Sequence, residues 1–372
     1  MPDKYLRQRP DGSMYWGDAD PAVVVPSPPP PVVVPPVTTG KLYGLNWPFL
    51  YIPGPLDAPG CDMTDGNLAI YKKHKVNVLR LNAHSTWLTN EIRANGPHPY
   101  LDRLMRSMKV AGRNGMRILF DLHGEGKDIG TIAFPFAEWQ EYHRRTTTIL
   151  KSDPEAWAAL WAIGTLNEPA NNSGRWVGDH KDNSGYARAI AGIRQVDANI
   201  QISVSGNQYT NASSWNGSYG NESMVLPRNS HIEFHQYADG SFSGRYGAGQ
   251  DGYVFYQAHN RASNPQEEGC GGDNGARFVA RLNQGLTWAG SKGYQVFVGE
   301  FGVPALQDWM PHLEAFYKKL QDTSFVLGST EWYGGYEAKS NWPYSGMQGV
   351  DPADDAALHW SVIDRYTNRV QV

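Results

Sequence analysis

The chain has 372 residues, a formal net charge of −4 and 40% hydrophobic residues, enough for one large domain or two ordinary ones with a sizeable core. That charge gives no electrostatic case for nucleic acid or an anionic membrane surface, and no apolar run approaches the roughly 18–20 residues of a membrane span. Thirteen Trp and twenty Tyr are more than such a core needs; the surplus suits either further packing or a cleft of flat apolar faces of the kind that takes sugar rings.

The first residues, Met-Pro-Asp-Lys-Tyr-Leu-Arg, are charged and lack an apolar h-region, so no signal peptide is expected there. Residues 21–37, "PAVVVPSPPPPVVVPPV", are dense in Pro, which locks φ and lacks an N–H, so the stretch is expected to be extended and polyproline-like. Residues 1–40 therefore read as a tail or linker. From Lys41 onward short apolar runs alternate with amphipathic stretches. Strands are predicted at Tyr43–Trp47, Asn77–Asn82, Met116–Leu122, Leu160–Leu166, Ile200–Ser205, His231–Gln236, Gln295–Phe301 and Val326–Trp332. Helical spacing links Leu101, Leu104, Met105, Met108 and Ala111; then Tyr186, Ala187, Ile190 and Ile193; then Phe278, Val279, Leu282 and Leu286, with Gly293 as a stop; then Trp309, Leu313, Phe316 and Leu320. Asp351-Pro352 resembles an N-cap with Pro in the first turn, opening a helix through Trp360 and Ile363. Strand and helix in alternation over 41–372 predict a (β/α)8 TIM barrel, with a doubly wound open sheet as the rival. Residues 238–275 are long, aperiodic and rich in Gly, Tyr and Asn, as in a loop that shapes a binding site. Cys61 and Cys270 are the two cysteines; whether they pair is left open, and two distant Cys do not establish an oxidising compartment.

Barrels carry their chemistry at the C-terminal strand ends, and those ends are polar or aromatic here. The second strand gives "VLRLN" with Arg80, the third "LFDLH" with His123 and the fourth "TLNEP" with Asn167 and Glu168. The sixth gives "IEFHQY" with His235 and Tyr237, the seventh "FVGEFG" with Glu300 and the eighth "STEWYGG" with Trp332. Packing or capping explains any one of these, but not all of them at one end of a barrel. Two carboxylates among cations and amides suit glycosidic-bond cleavage, which needs one acid to protonate the leaving oxygen and a second carboxylate across the anomeric carbon. The acid must stay protonated near neutrality, and partial desolvation beside another carboxylate raises its pKa. The nucleophile must stay ionised, which a nearby Arg and a Tyr hydroxyl favour.

The ordered set Arg80, His123, Asn167-Glu168, His235-x-Tyr237, Glu300 and Trp332 resembles glycoside hydrolase family 5, a clan A family of retaining glycosidases, across about residues 41–372. The resemblance implies a TIM barrel with Glu168 as general acid/base and Glu300 as nucleophile. It implies that Asn167 holds the sugar 2-hydroxyl and that Tyr237 and Arg80 touch the nucleophile. His235 would sit near the acid/base, His123 near the hydroxyls of the cleaved sugar, and Trp332 under that sugar. "SGNQYTNASSW" (205–215) followed by "EFHQYADG" (233–240) is similar to the endoglucanases of the family, in which a Trp after the fifth strand, here Trp215, helps line the glucan cleft. The expectation is a retaining endo-β-1,4-glucanase (cellulase) acting on a β-glycan, as a monomer, without cofactor or metal; secretion is expected from the resemblance alone. "GLNWPFLYI" and "EWYGGYEAKSNW" match no particular subfamily, so β-mannanase, β-1,3-glucanase, xylanase and exo-β-glycosidase stay as alternatives within the class. A carbohydrate-binding pseudoenzyme or adhesion module is the alternative outside it, and the presence of both glutamates argues against it.

Other signals carry less. "HGEGKDIG" (123–130) lacks the Gly-Lys-Ser/Thr ending of a phosphate loop, and "HIEFH" (231–235) places its two His on a strand rather than in a helical zinc motif. No Gly-x-Ser-x-Gly elbow is present. Sequons occur at Asn171, Asn211, Asn216 and Asn221. Trp87, Trp176, Trp215 and Trp342 fall in or near strand-to-helix loops, facing either sugar or core; Trp139 and Trp309 fall in helical stripes and are expected against the barrel.

Overall fold

The computed structural model describes residues 4–8, 14–18, 40–47, 62–94, 96–169, 173–177, 184–215, 217, 219–237, 274–303, 307–332 and 358–367. Met1–Val33 and Val34–Val372 are two compact units. The first contains an antiparallel pair, Lys4–Gln8 against Met14–Asp18, with Lys4 opposite Asp18. Reading 1–40 as a plain tail misses this pair. Its signal is Pro10-Asp11-Gly12, a turn tripeptide between two runs that carry Tyr5, Leu6, Tyr15 and Trp16. The Pro-rich stretch 21–37, Cys61, Cys270, Trp342, Asp351-Pro352 and nearly all of the 238–275 loop lie outside the described residues.

In the second unit eight parallel strands close into a barrel. They are β1 (Leu42–Trp47), β2 (Val78–His84), β3 (Arg117–His123), β4 (Leu160–Gly164), β5 (Gln201–Val204), β6 (Ser230–Tyr237), β7 (Val296–Gly302) and β8 (Val326–Glu331). Every strand predicted from the sequence is present, within two residues at each end. Closure comes from β8 pairing with β1, Gly328 to Leu42 through Glu331 to Leu45, which excludes the open sheet. The (β/α)8 expectation holds.

The helices are α1 (Asp65–Lys73), α2 (Ser85–Ala94), α3 (Pro99–Arg113), α4 (Phe136–Ser152), α5 (Pro154–Ala159), α6 (Ser173–Trp176), α7 (Gly185–Arg194), α8 (Asn274–Lys292), α9 (Met310–Asp322) and α10 (Leu358–Thr367). Local chemistry sets their ends. Thr64 and Asn67 cap each other's backbone at the start of α1. Asp153 accepts from the N–H groups of Glu155 and Ala156 ahead of Pro154, which opens α5. Gly293, at φ +69°, follows the last residue of α8. Helical spacing in the sequence finds α3, α7, α8, α9 and α10. It misses α4 because His143, Thr146 and Thr147 lie on its buried face and interrupt the apolar stripe. Among the described residues no helix is long and apolar enough to cross a membrane.

Alternate residues of each strand face opposite sides, so the core has two parts. Outward positions such as Leu79, Leu81, Ile118, Phe234 and Val298 pack against the helices, and Trp139 and Trp309, both 1% exposed, join them as expected. Inside, Leu42, Val78, Leu119, Ala162 and Phe297 form a separate apolar cluster across five strands. Two residues further along β2 and β3 the inward side chains turn polar, at Arg80 and Asp121. The barrel therefore has an apolar floor beneath a charged upper layer.

Candidate active site

Arg80 is the hub of that upper layer. It is fully buried, an arrangement that requires charged partners on every side. Nη1 donates to Asn46 Oδ1 at 2.9 Å and to Glu300 Oε1 at 2.8 Å. Nη2 donates to Asn167 Oδ1 at 2.8 Å and lies 2.8 Å from Glu233 Oε1 and 3.0 Å from Asp121 Oδ1. The planar fork reaches three carboxylates and two amides, which an ammonium on a single stem does not do.

Glu300, on β7, is held from two sides: Arg80 takes Oε1, and the Tyr237 hydroxyl donates to Oε2 at 3.1 Å. Glu168 follows β4. Its backbone N–H donates to Gly124 O, and its Oε1 lies 2.8 Å from His235 Nδ1. One oxygen of Glu168, one of Glu300 and one His235 nitrogen all lie within 4.8 Å of one another. The two carboxylates differ in access, with 26% of the Glu168 side chain exposed against 5% for Glu300. The same trio is close enough to share a single ion, but the Arg80 guanidinium already supplies positive charge to Glu300. The rim adds His123, whose Nδ1 is 2.9 Å from Asp121 Oδ2, and Trp332, whose ring stacks on His123 at 5.4 Å and 19°. Arg80, His123, Asn167, Glu168, His235, Tyr237, Glu300 and Trp332 thus meet at one end of the barrel.

Trp215 does not join them. It is 2% exposed, and its ring lies against Phe234 at 5.6 Å and Trp288 at 4.6 Å, in the layer outside the strands. Among the described residues, Phe234 on the outward face of β6 and Trp288 on α8 cover it. Trp176 is buried as well, and its indole N–H donates to Ser205 O at 2.9 Å; Trp87 is partly buried and packs edge-on against Tyr100. The sequons at Asn211 and Asn221 fall on buried side chains, Asn221 donating to Ser214 Oγ at 2.9 Å.

Sequence reasoning missed Asp121, Glu233, Asn46 and Asn82. Asn82 Nδ2 donates to Asp121 Oδ2 at 2.9 Å, and Asn46 Nδ2 to Gly299 O at 2.9 Å. The signal was period two: Asp121 precedes His123, and Glu233 precedes His235, by two residues on the same face.

Electrostatics follow from the contacts. Burial pushes the Glu300 carboxyl above the ordinary carboxylate range; His235 and Arg80 oppose this and the Glu168 charge adds to it. For His235 burial disfavours the charge, but Glu300, Glu168 and Glu233 outweigh it and hold the imidazole up at about 10. Glu233 is also opposed by burial, yet Arg80, followed by His235 and Ser203, brings it down to about 2. A half-open carboxylate thus faces a buried one across a fixed imidazole, with a guanidinium beneath: an arrangement suited to passing a proton outward while holding negative charge inward.

A family model described as cellulase (glycosyl hydrolase family 5) matches residues 60–326. Solved structures show the same fold. An endo-beta-1,4-glucanase from Xanthomonas axonopodis pv. citri is 23% identical, with 88% of this chain and 99% of that one covered and a TM-score of 0.69. An endoglucanase from Pseudomonas stutzeri in complex with cellobiose is 20% identical, over 88% and 92%, with a TM-score of 0.67. Cel5A (EG2) from Hypocrea jecorina is 18% identical over 79% and 88%, with a TM-score of 0.57.

Proposed function

Because the chain belongs to the cellulase family, glycosyl hydrolase family 5, it is a glycoside hydrolase, and we propose that it is a retaining endo-β-1,4-glucanase in which Glu300 is the nucleophile and Glu168 the acid/base. The observation that carries this reading is the approach of the two carboxylates, one oxygen of each within 4.8 Å. Retaining enzymes place the pair roughly 5–5.5 Å apart, whereas inverting enzymes leave about 6.5–9.5 Å for an intervening water.

In the first step a Glu300 oxygen attacks the anomeric carbon and forms a glycosyl ester, while Glu168 gives its proton to the departing sugar oxygen. In the second, Glu168, now a carboxylate, takes a proton from water, which attacks the same carbon and releases Glu300. Each step leaves the configuration inverted once, so the product retains it. Arg80 and Tyr237 hold the attacking carboxylate in place. Because Asn167 gives its carbonyl oxygen to Arg80, its amide nitrogen serves as the donor for the sugar 2-hydroxyl. The Trp332 ring, backed by His123, offers the flat face for the cleaved sugar. The β-1,4-glucan substrate and endo mode are supported by the endoglucanase neighbours, one of which holds cellobiose.

Product analysis on soluble β-1,4-glucan, β-1,3-glucan, mannan and xylan tests bond type and mode together. The expected result is a rapid fall in β-1,4-glucan viscosity and β-configured new ends by proton NMR. Monosaccharide release without loss of viscosity, or α-configured ends, refutes it.

A further inference from the structure

His235 stands among charged groups from four parts of the barrel. Arg80 comes from β2, Glu168 from just past β4, Glu233 from its own strand β6, and Glu300 from β7. Its Nδ1 lies 2.8 Å from Glu168 Oε1 and 3.5 Å from Glu300 Oε2, and its Nε2 lies 3.2 Å from Glu233 Oε1. A ring that meets carboxylate oxygen at both nitrogens needs an N–H on each, which only the imidazolium has. The reaction gives that cation a use. Before attack the catalytic pair carries one negative charge, on Glu300; in the glycosyl ester the pair still carries one, on Glu168. A single cation beside both carboxylates attends the charge in either location.

Glu233 touches neither reacting atom. It is 1% exposed and lies below the pair. Its Oε1 bridges Arg80 Nη2 and His235 Nε2, and its Oε2 accepts from Ser203 Oγ at 2.5 Å. The neighbouring strand leaves room for it: a Cβ added to Gly299 falls 2.1 Å from Glu233 Oε1. Without Glu233, His235 Nε2 is left facing the Arg80 guanidinium at 3.4 Å, a donor that favours a lone pair on that nitrogen and so a neutral ring.

We propose that Glu233 is a positioning residue that keeps His235 doubly protonated and aimed at the catalytic pair, so that one fixed cation follows the negative charge from Glu300 to Glu168. The proposal rests on the assignment of Glu168 and Glu300 above.

The test uses the full chain with Glu233→Gln, which keeps the shape and removes the charge. Nitrogen-15 NMR of the His235 ring, assigned with His235→Asn, reads its protonation without reference to activity. Both ring nitrogens are expected to stay protonated through pH 8 in the wild type, and the variant is expected to lose a proton about 1–3 units lower, the size of shift that one adjacent charge produces. The basic limb of kcat is expected to move the same way, with kcat down about tenfold or more and KM within about twofold. If His235 titrates alike in both proteins and the basic limb does not move, the proposal is overturned. Should Glu233→Gln fail to fold, Glu233→Asp withdraws the same charge from His235 Nε2, and a smaller shift in the same direction is required. Glu168→Gln and Glu300→Gln separate the two levels: if either turns over cellulose oligomers at the wild-type rate, the catalytic assignment fails and this proposal with it. If both are inactive while Glu233→Gln titrates like the wild type, this proposal alone fails.

Discussion

At the scale of single residues, the pairing of a raised and a shared carboxylate predicts how activity depends on pH. As the proposed nucleophile Glu300 must be ionised to attack, and burial holds its pKa above the ordinary carboxylate range. The acid limb of kcat/KM is therefore expected above that range, because protonating Glu300 stops the first step. The Glu168 charge is part of the cause, so Glu168→Gln should move the Glu300 limb to lower pH. An aryl glycoside with a good leaving group, which needs no acid, lets stopped-flow measurement of leaving-group release follow this; an unmoved limb contradicts the coupling. Glu300→Gln should lose at least about 10³-fold in kcat with the melting temperature little changed, consistent with removal of a group that acts as a unit with its partner. Circular dichroism and product release check the two halves of that statement.

At the scale of elements, strand β7 shows how neighbouring strands share space. Gly299 is the residue before Glu300, and a side chain there would overlap the Glu233 carboxylate at 2.1 Å. Gly299→Ala is expected to cost about 1–3 kcal/mol of stability from overpacking and to lower kcat by displacing Glu233 from His235 and Arg80. Urea titration together with the kcat–pH profile checks both; a variant with wild-type values would show that β7 yields easily. This element also marks how far the sequence could be read. The eight strands were legible because buried parallel strands are short apolar runs with polar ends, and the candidate site residues because they fall in or just beyond the C-terminal halves of such runs. Glu233 and Asp121 were not, since a carboxylate inside a β-run reads as an outward, solvated position until closure turns that face inward. Trp215 was misplaced for the opposite reason: position after a strand does not reveal which layer a ring enters. Helix α4 was hidden by the polar residues on its packed face, and the N-terminal antiparallel pair by the Pro-rich run that follows it in the sequence.

At the scale of the whole molecule, buried titratable groups set the pH range of stability. Between pH 6.5 and about 10 folded His235 keeps a proton that the unfolded chain releases, so stability falls as pH rises through that window. On the acid side Glu233, brought down to about 2, loses its contribution as pH falls below 4.5, while Glu300 opposes this in part. His143 and His231, pushed down by burial to about 3 and about 4, stay neutral when folded and cost stability as pH drops below 6.5. Lys41, lowered by burial to about 8, offsets part of the alkaline loss. Thermal melts from pH 4 to 10 are expected to peak near pH 6.5, and His235→Asn to flatten the alkaline side; an unchanged alkaline slope would remove His235 from the account. The apolar floor of Leu42, Val78, Leu119, Ala162 and Phe297 bears on the second half-reaction. With hydrocarbon and a guanidinium at the base of the described barrel, the mechanism proposed above has water reach the esterified carbon from the side that the first fragment vacates. On the double displacement proposed above, any hydroxyl-bearing molecule waiting there would compete with solvent, so short chains at high concentration are expected to yield some longer products.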